Sequence, residues 1–440
     1  MARLRSFVAG IPSLLRWLAP GIGVKRWMGL FLLGGTLLGL GLGGLMLGGD
    51  PAGPLPTLAG WLTLQFLPGR LGAALLILAG FALMLLALAQ FNRTLLAPFL
   101  RPGQSLVSAV SEHRRRGRGP KIVAIGGGTG LSILLRGLKS YTANLTAIVT
   151  VADDGGSSGR LRRTLGVLPP GDFRNCIAAL ADDESLITQL FQYRFGQGDS
   201  VLGGHSFGNL FITAMAEVTG SFEQALIESA KVLAIRGQVI PSTLSDVTLV
   251  GELVDEAAQV SRVEGESHIT DAPGAIRRVY LEPEAVPAYP GAIRAVLEAD
   301  LIVFGPGSLY TSIMPNLLVA DLVEAIAASR AQKVYVCNTA TQPGETDGYS
   351  VMEHVAAIER HTRPGLFSLV AANSNQQGQL LPRLGWVKLD SPPAGHGLTV
   401  VSSDLIDEAR PWRHDADKLA DLLIKLIVYT QDSVAEVATP

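Results

Sequence analysis

The chain has 440 residues and a formal net charge of −2 at pH 7. It is therefore long enough for more than one domain, and it lacks the basic character expected of a nucleic-acid-binding protein. Its two cysteines are too few for a disulfide framework or a zinc site and are typical of a reducing compartment.

Two stretches without charged residues, 27–49 and 71–92, predict membrane-spanning helices. Each is close to the roughly 20 residues that a helix needs to cross a bilayer. The alternative for the first stretch is a cleaved signal peptide. Its apolar part is longer than that of a signal peptide, and a second stretch follows it, so a transmembrane hairpin over 27–92 is favoured.

The distribution of basic residues predicts the orientation of this hairpin. The loop between the two stretches contains only Asp50 and Arg70 as charged residues. The positive-inside rule therefore places the basic N-terminus (1–26), the juxtamembrane linker (93–120) and the C-terminal domain in the cytoplasm of a multi-pass cell-membrane protein. The linker is expected near anionic lipid head groups, not nucleic acid. The flanking basic residues are Arg3, Arg5, Arg16, Lys25, Arg26, Arg93, Arg101, Arg114, Arg115, Arg116 and Arg118.

A glycine face on the first span predicts close helix packing. Gly35, Gly39 and Gly43 recur at four-residue spacing, so one side of this helix carries almost no side chains. The partner is either the second span or another copy of the chain, and a homo-oligomer is expected.

The pattern changes at Lys121 to short apolar runs that alternate with amphipathic segments. The run 121–125 predicts a buried strand, and after a glycine loop Leu131, Leu134, Leu135 and Leu138 mark one face of a helix. The run 145–151 predicts the next strand of a βαβ unit. We therefore predict that residues 121–440 form a Rossmann-like α/β domain with a doubly wound, mostly parallel sheet.

Later parts of the domain continue this alternation. The runs 300–305 and 333–338 predict strands, and the segment between them predicts a helix that breaks at Pro315. Ser221 and Gln224 occupy capping-box positions of a helix over 221–234. Residues 237–285 are richer in Val, Thr and Pro and predict a small β insertion, in which 238–253 resembles a hairpin.

Polar or glycine-rich loops at 126–130, 153–160, 305–308 and 338–348 follow strands or open helices, and a fifth loop, 203–209, opens a helix. In doubly wound sheets, ligands bind outside the carboxyl ends of the strands, where the strand order reverses. The sequence has no serine nucleophile elbow, zinc motif or Walker A lysine. The predicted site therefore acts by positioning phosphates.

The loop "GGGTG" (126–130) lies between a strand and a helix, where backbone amides can hold a phosphate. A dinucleotide fingerprint would need a glycine where Leu131 stands, although Asp153 lies where a ribose-binding acid is expected. A tight turn without a ligand is the third interpretation. The candidate ligand-binding residues here are Gly127, Gly128, Thr129 and Gly130.

Asp153 and Asp154 end a β-forming run, and three interpretations stay open. One carboxylate can cap a loop amide while the other is free, or one can bind ribose hydroxyls. Alternatively, both can hold Mg²⁺ together with phosphate oxygens. The residues that follow would then bind a diphosphate through amides, hydroxyls and a guanidinium, which makes the candidates Gly156, Ser157, Ser158 and Arg160.

Three further loops contribute candidates. Asp172 is expected first of all as a helix N-cap, with Arg174 as an anion contact. Ser206 is expected to cap a helix, while His205 and Asn209 are candidates for ligand contacts or for structural roles. The candidates after the later strands are Gly305, Gly307, Ser308 and Asn338.

Five motifs in this order resemble the gluconeogenesis-factor (YvcK-like) family, which is related to the 2-phospho-L-lactate transferases (CofD-like). They are "KIVAIGGGTGLSILLRGLK", "VTVADDGGSSGRLR", "PPGDFRNC", "GGHSFGNL" and "LIVFGPGSLYTSIMPNLL". The resemblance runs from about Lys121 to near the C-terminus. The "DDGGSSGRLR" loop departs from the transferases after its paired aspartates, and the membrane hairpin departs from the usual soluble form.

The resemblance implies a cytoplasmic Rossmann-like domain that binds a UDP-sugar such as UDP-N-acetylglucosamine. It also implies a role in cell shape and in the supply of cell-wall precursors during growth on gluconeogenic carbon sources. Transferase activity belongs to the deazaflavin-cofactor branch. The alternative function is therefore a Mg²⁺-dependent transferase that moves a phosphate-linked group from a nucleotide-activated donor.

Overall fold

A computed structural model describes residues 24–46, 70–96, 114–181, 186–196, 201–393 and 397–437, with the single residues 64, 67, 111 and 395. The expectations for residues 1–23, for most of the loop between the spans and for most of the linker lie outside the described residues. Contacts divide the chain into two compact units, Met1–His113 and Arg114–Pro440.

The first unit is an antiparallel pair of apolar helices, α1 (Lys25–Met46) and α2 (Leu71–Leu96), which pack on each other. By length and composition both could cross a membrane. A Cβ on Gly80 would lie 2.6 Å from the carbonyl oxygen of Gly34, so these glycines permit the close approach. The predicted glycine face is a different one, because a Cβ on Gly35, Gly39 or Gly43 meets nothing within 4 Å.

The second unit is built on a parallel sheet, as the alternating pattern predicts. Its central strands are buried from end to end, because helices cover both faces. Within the described residues seven strands form this sheet, in the order β3-β2-β1-β7-β8-β9-β10. The strands are β1 (Ile122–Gly126), β2 (Leu145–Val149), β3 (Gln238–Pro241), β7 (Leu301–Phe304), β8 (Gln332–Val336), β9 (Leu369–Asn373) and β10 (Thr399–Ser403).

The helices of this unit surround the sheet and supply the rest of its core. In chain order they are α3 (Gly128–Leu138), α4 (Gly156–Leu165), α5 (Gly171–Leu180), α6 (Leu186–Gln192), α7 (Phe207–Thr219), α8 (Phe222–Val232), α9 (Glu266–Asp271), α10 (Pro290–Leu297), α11 (Met314–Leu317), α12 (Ala320–Ala328), α13 (Val351–His361) and α14 (Ala416–Val437).

The strand order reverses between β1 and β7. From β1 the chain builds outward to β2 and β3, then returns to place β7 on the other side of β1 and builds outward again. The loops after β1 and β7 therefore face each other at the carboxyl edge, which is where doubly wound sheets bind ligands.

The predicted hairpin over 238–253 is wrong. Residues Gln238–Pro241 form β3 at the edge of the parallel sheet, where Pro241 is tolerated, while β4 (Thr248–Val254) belongs to a separate sheet. In that antiparallel sheet β4 lies between β5 (Val260–Glu264) and β6 (Ala275–Glu282), and α9 connects these two. This small sheet is the β insertion. A last pair, β11 (Ile406–Asp407) and β12 (Arg410–His414), precedes α14.

The predicted helix break at Pro315 lies elsewhere. A π-helical turn over Leu309–Ile313 leads into α11, and Pro315 stands in its first turn, where a missing amide costs little. The chain bends by 76° between this segment and α12, after Leu317. The bent pair is apolar enough to count as one broken span, yet its residues belong to the core of the second unit.

Candidate functional site

A cavity of about 550 Å³ lies at the point where the strand order reverses. Its walls come from the loops after β1 and β7, the segment after β8, the insertion and strand β12. We call it the switch-point cavity. The predicted site residues that line it are Gly127, Gly128, Thr129, Gly130, Gly307, Ser308 and Asn338.

The loops after β1 and β7 are held together by close backbone packing. A Cβ on Gly130 would collide with the carbonyl group of Pro306, so only glycine fits there. Asn338 fixes the second loop, since its Oδ1 accepts from the amide of Gly307 at 3.3 Å and its Nδ2 donates to the Gly307 carbonyl at 2.9 Å. Gln342 donates to the Ser308 hydroxyl at 2.7 Å. The cavity is therefore pre-formed on a rigid edge.

Three carboxyl groups, on Asp153, Asp172 and Glu266, interact with one another, and among them Glu266 lines the cavity. Burial raises the pKa of Asp153, although the amide of Gly155 donates to it at 2.9 Å. Burial and then the charge of Asp153 raise the pKa of Asp172 to about 7, although the backbone of Gly128 bonds to it. Burial and its acidic neighbours raise the pKa of Glu266 well above its usual value, and its buried Oε2 has no partner among the described residues.

Asp154 turns away from Asp153 to a different neighbour. Its Oδ1 accepts from the backbone amide of Ser267 at 2.9 Å, and a Cβ on Gly265 would collide with its Oδ2. Asp154 therefore holds the start of α9, the helix that brings Glu266 to the cavity. Both carboxylates of the pair thus accept from backbone amides, whereas the capping interpretation had left one of them free.

The sequence predicted that Asp172 caps helix α5, and this prediction is wrong. The helix begins at Gly171 with Pro170 as its N-cap, and no side chain caps it. Asp172 is the second helical residue, and its carboxyl group reaches across to the start of α3, where a Cβ on Gly127 would lie 2.5 Å from Oδ2. Asp172 therefore makes a tertiary contact with α3 instead of capping its own helix.

A second group of predicted residues lies behind these carboxyl groups, where α4, α5 and α7 begin. The Ser157 hydroxyl lies 3.0 Å from Nδ1 of His205 and accepts from Asn209 at 3.1 Å. Ser158 accepts from the amide of Gly171 at 3.1 Å. These polar side chains are buried, so together they form an internal network.

Arginines surround this network. Arg160 donates to the carbonyl of Gly203 at 2.9 Å and Arg194 to that of Gly204 at 2.7 Å. Arg174 is buried, and burial followed by the charge of Arg194 lowers its pKa. We call Ser157, Arg160, Arg174, Arg194, His205 and Asn209 the basic cluster.

The other candidates shape the backbone. Ser206 caps α7 as predicted, since its side chain accepts from the amide of Asn209. Ser221 likewise caps α8, whereas the side chain of Gln224 bonds to Glu228 at 2.8 Å. Gly305 at φ 79° and Gly156 at φ 46° adopt the left-handed conformation that favours glycine. These glycines fix the turns.

Several cavity residues were not predicted from the sequence. Glu345 accepts from the amide of Tyr310 at 3.1 Å and from the Thr311 hydroxyl at 3.0 Å. Arg413 and His414 lie on β12, which is far along the sequence from each of the predicted glycine-rich loops. Burial lowers the pKa of His414 to about 4, and its Nε2 has no partner among the described residues. Only the polar loop 338–348, which contains Glu345, carried a signal.

The comparisons with known proteins agree with the fold. The family model described as 2-phospho-L-lactate transferase CofD matches residues 122–428. A putative gluconeogenesis factor from Nostoc sp. is 49% identical over 429 residues, which cover 93% of this chain and 92% of the relative. The gluconeogenesis factor of Bacillus subtilis is 45% identical over 319 residues, which cover 71% of this chain and 99% of the relative.

A solved structure shows the same architecture. The crystal structure of a Bacillus halodurans protein superimposes with a TM-score of 0.66 at 42% sequence identity. The match covers 70% of this chain and all of that protein.

Proposed function

Because this chain belongs to the CofD-like family that includes the gluconeogenesis factors, we propose that it is a UDP-sugar-binding regulatory protein tethered to the cell membrane. Its role would lie in cell morphogenesis and in cell-wall precursor supply on gluconeogenic carbon sources. The observation that carries the proposal is the switch-point cavity, in which a glycine loop, a helix N-terminus and a basic side chain meet at the carboxyl edge of a doubly wound sheet.

The cavity offers distinct groups to the parts of a nucleotide sugar. The amides at the start of α3 and the guanidinium of Arg413 suit phosphate oxygens. The carboxyl group of Glu266, which lines the cavity and interacts with Asp153, suits the hydroxyl groups of a ribose or a hexose as a hydrogen-bond acceptor. The side-chain amides of Asn338 and Gln342 are already engaged with the loop after β7, so they support the cavity wall.

The carboxyl groups also fit a magnesium ion that arrives with the ligand. Among the described residues no group of three or more His, Cys, Asp or Glu side chains is arranged to hold a metal ion. Mg²⁺ commonly takes one or two carboxylates and completes its shell with phosphate oxygens and water. Asp153 and Asp172 would hold such an ion, which would neutralise the charge of a diphosphate.

The two apolar helices support attachment to a membrane. The excess of basic residues outside the hairpin supports a cytoplasmic position for both ends of the chain. Under this proposal the nucleotide-sugar site faces the cytoplasm.

Titration calorimetry of the full-length chain in detergent tests ligand binding. UDP-N-acetylglucosamine should bind, whereas NAD and GDP should bind weakly or not at all. Arg413→Gln should weaken the binding of the UDP-sugar by about tenfold or more, which is the effect of losing one charged hydrogen bond. Arg136→Gln, at an exposed position on α3, is the matched control. Binding of NAD alone would refute the proposal in favour of a dinucleotide site.

The carboxyl groups favour one alternative function, a Mg²⁺-dependent transferase that moves a phosphate-linked group from a nucleotide-activated donor. The family model carries the description of a 2-phospho-L-lactate transferase. The test is turnover, measured as nucleotide released from candidate donors with Mg²⁺ and a panel of acceptors. Release that Asp153→Asn abolishes would establish the enzyme, and the absence of release while UDP-sugars bind would reject it.

A further inference from the structure

The basic cluster contains a buried charge whose hydrogen bonds are incomplete. Arg174 is 7% exposed, and its Nη2 donates at 2.7 Å to the neutral side chain of Asn175. Its buried Nε has no partner within the part of the chain that the structure describes, and Asp172 and Asp153 act on this guanidinium only through their charges. Since a buried guanidinium is unfavourable without a paired anion, this side chain is prepared for one.

The neighbouring network adds a second candidate donor, the buried side chain of His205. Asn209 donates to the Ser157 hydroxyl, which leaves the hydroxyl proton to be donated to Nδ1 of His205. In that arrangement the proton of a neutral His205 would be on Nε2, where it could be donated to a ligand. Arg160 and Arg194 lower the pKa of His205 after burial does, so both cations act on the same region.

The helices reinforce this positive region. Helix α4 has 10 residues and begins beside Ser157, and helix α7 has 13 residues and begins beside His205. The partial positive charges of these two helix N-termini add to the charges of the arginines. Asp172 separates this region from the switch-point cavity, because it bonds to Gly128 on one side and acts on Arg174 on the other. The basic cluster therefore lies on one side of Asp172 and the switch-point cavity on the other.

We infer that the basic cluster binds a second anionic group, a carboxylate or a phosphoryl group, carried by the sugar of the ligand. This inference rests on the proposed binding of a UDP-sugar in the switch-point cavity. The uridine diphosphate lies on the cavity side of Asp172, and the substituent of the sugar reaches Arg174, Arg194 and His205 on the other side. The substrate class is then an acidic nucleotide sugar, such as one with a uronate or a lactyl ether carboxylate.

Pairs of ligands that differ in the acidic group test this inference on the full-length chain in detergent. UDP-glucuronate is compared with UDP-glucose, and UDP-N-acetylmuramate with UDP-N-acetylglucosamine, by titration calorimetry. The acidic member of at least one pair should bind about tenfold more tightly, as expected for a charge-assisted hydrogen bond to an arginine. Inorganic phosphate that strengthens the binding of UDP-glucose would instead assign the anion to a free phosphate in the same cluster.

Two variants locate the effect. Arg194→Gln changes an exposed side chain and leaves the fold intact, whereas Arg174→Lys keeps a positive charge in the buried position. Each should reduce the preference for the acidic ligand to about threefold or less while UDP-glucose binding stays nearly unchanged. Arg136→Gln should keep the full preference.

The outcomes separate this inference from the proposed function. If no UDP-sugar binds, the proposed function fails, and this inference fails with it. If neutral and acidic members bind equally well and phosphate has no effect, the inference is overturned while the proposed function stands. It is also overturned if the arginine variants weaken both members of each pair equally, because the cluster then holds the diphosphate itself.

Discussion

Replacing Asp172 by Asn should make the protein without ligand more stable. Its carboxyl group is buried beside Asp153, and these two causes raise its pKa from 3.8 to about 7. A raised pKa means that the folded state holds the proton more tightly than the unfolded state. Folding is therefore penalised as pH rises from about 4 to 7, and the penalty is complete above about pH 7.

The magnitude follows from the two pKa values. At about 1.4 kcal/mol for each pH unit between 3.8 and about 7, the ionised carboxylate costs the folded state about 4 kcal/mol at most. The asparagine oxygen can still accept from the backbone of Gly128, so the variant removes the charge and keeps the hydrogen bond. We expect the free energy of unfolding to rise by about 2–4 kcal/mol at about pH 8 and by under half as much at about pH 5.

Chemical denaturation of the full-length chain in detergent at these two pH values measures the effect. Glu217→Gln, an exposed change on α7, is the control and should alter neither value. A loss of stability at the higher pH would refute the reasoning, as would a gain that does not shrink on acidification. The stabilised variant should bind a UDP-sugar with Mg²⁺ more weakly, since a bound cation relieves the repulsion that the mutation removes.

Three further predictions follow from particular contacts. Asp154→Ala removes the acceptor of the Ser267 amide and should lower the free energy of unfolding by about 2 kcal/mol, which denaturation measures, and an unchanged value would contradict the structural role. His414 has a folded-state pKa of about 4, below its usual 6.5, so the stability it contributes is present above about pH 6.5 and is lost as pH falls towards 4. In His414→Gln the free energy of unfolding should change less between about pH 6.5 and pH 4, as measured by denaturation at several pH values. The same pH dependence in the variant and the wild type would contradict this role of His414. Gly80→Leu should disrupt the packing of α1 on α2, measured as lower thermal stability in detergent, whereas Gly39→Leu should leave the hairpin intact, and equal effects would show that the contact face is misassigned.

Local patterns in the sequence were sufficient for the elements of the sheet. Strands β1 and β7 are apolar runs that are buried on both faces, and most of β2 and β8 is buried as well, so their apolar runs identify them without knowledge of their neighbours. The same holds for the caps at Ser206 and Ser221, because a cap bonds to an amide only three residues away. Glycine loops at strand ends indicated the carboxyl edge, since ligands of doubly wound sheets bind there.

Patterns that extend over one segment failed where a distant segment decided the outcome. Residues 238–253 read as a hairpin, but β3 pairs with β2 and β4 pairs with two strands of the insertion. For the glycine face at Gly35 the sequence left two partners open, α2 or another copy of the chain, and the structure excludes α2 because a different face, with Gly34, packs against it. Spacing fixes which residues share a face, and only the packing selects the face.

The composition of the site was decided by the tertiary structure. The carboxylates of the adjacent pair Asp153 and Asp154 separate, because each accepts from a different amide, and Asp172 from the first turn of α5 lies beside Asp153 instead. Glu266 reaches the cavity only because the insertion folds back over it, and Arg413 only because the last strand packs beside α3. The sequence by itself determined the sheet, the membrane-type helices and the edge at which the loops meet, because those follow from local periodicity. Which charges face one another across that edge depends on contacts between residues far apart in the chain, and no local pattern encodes those contacts.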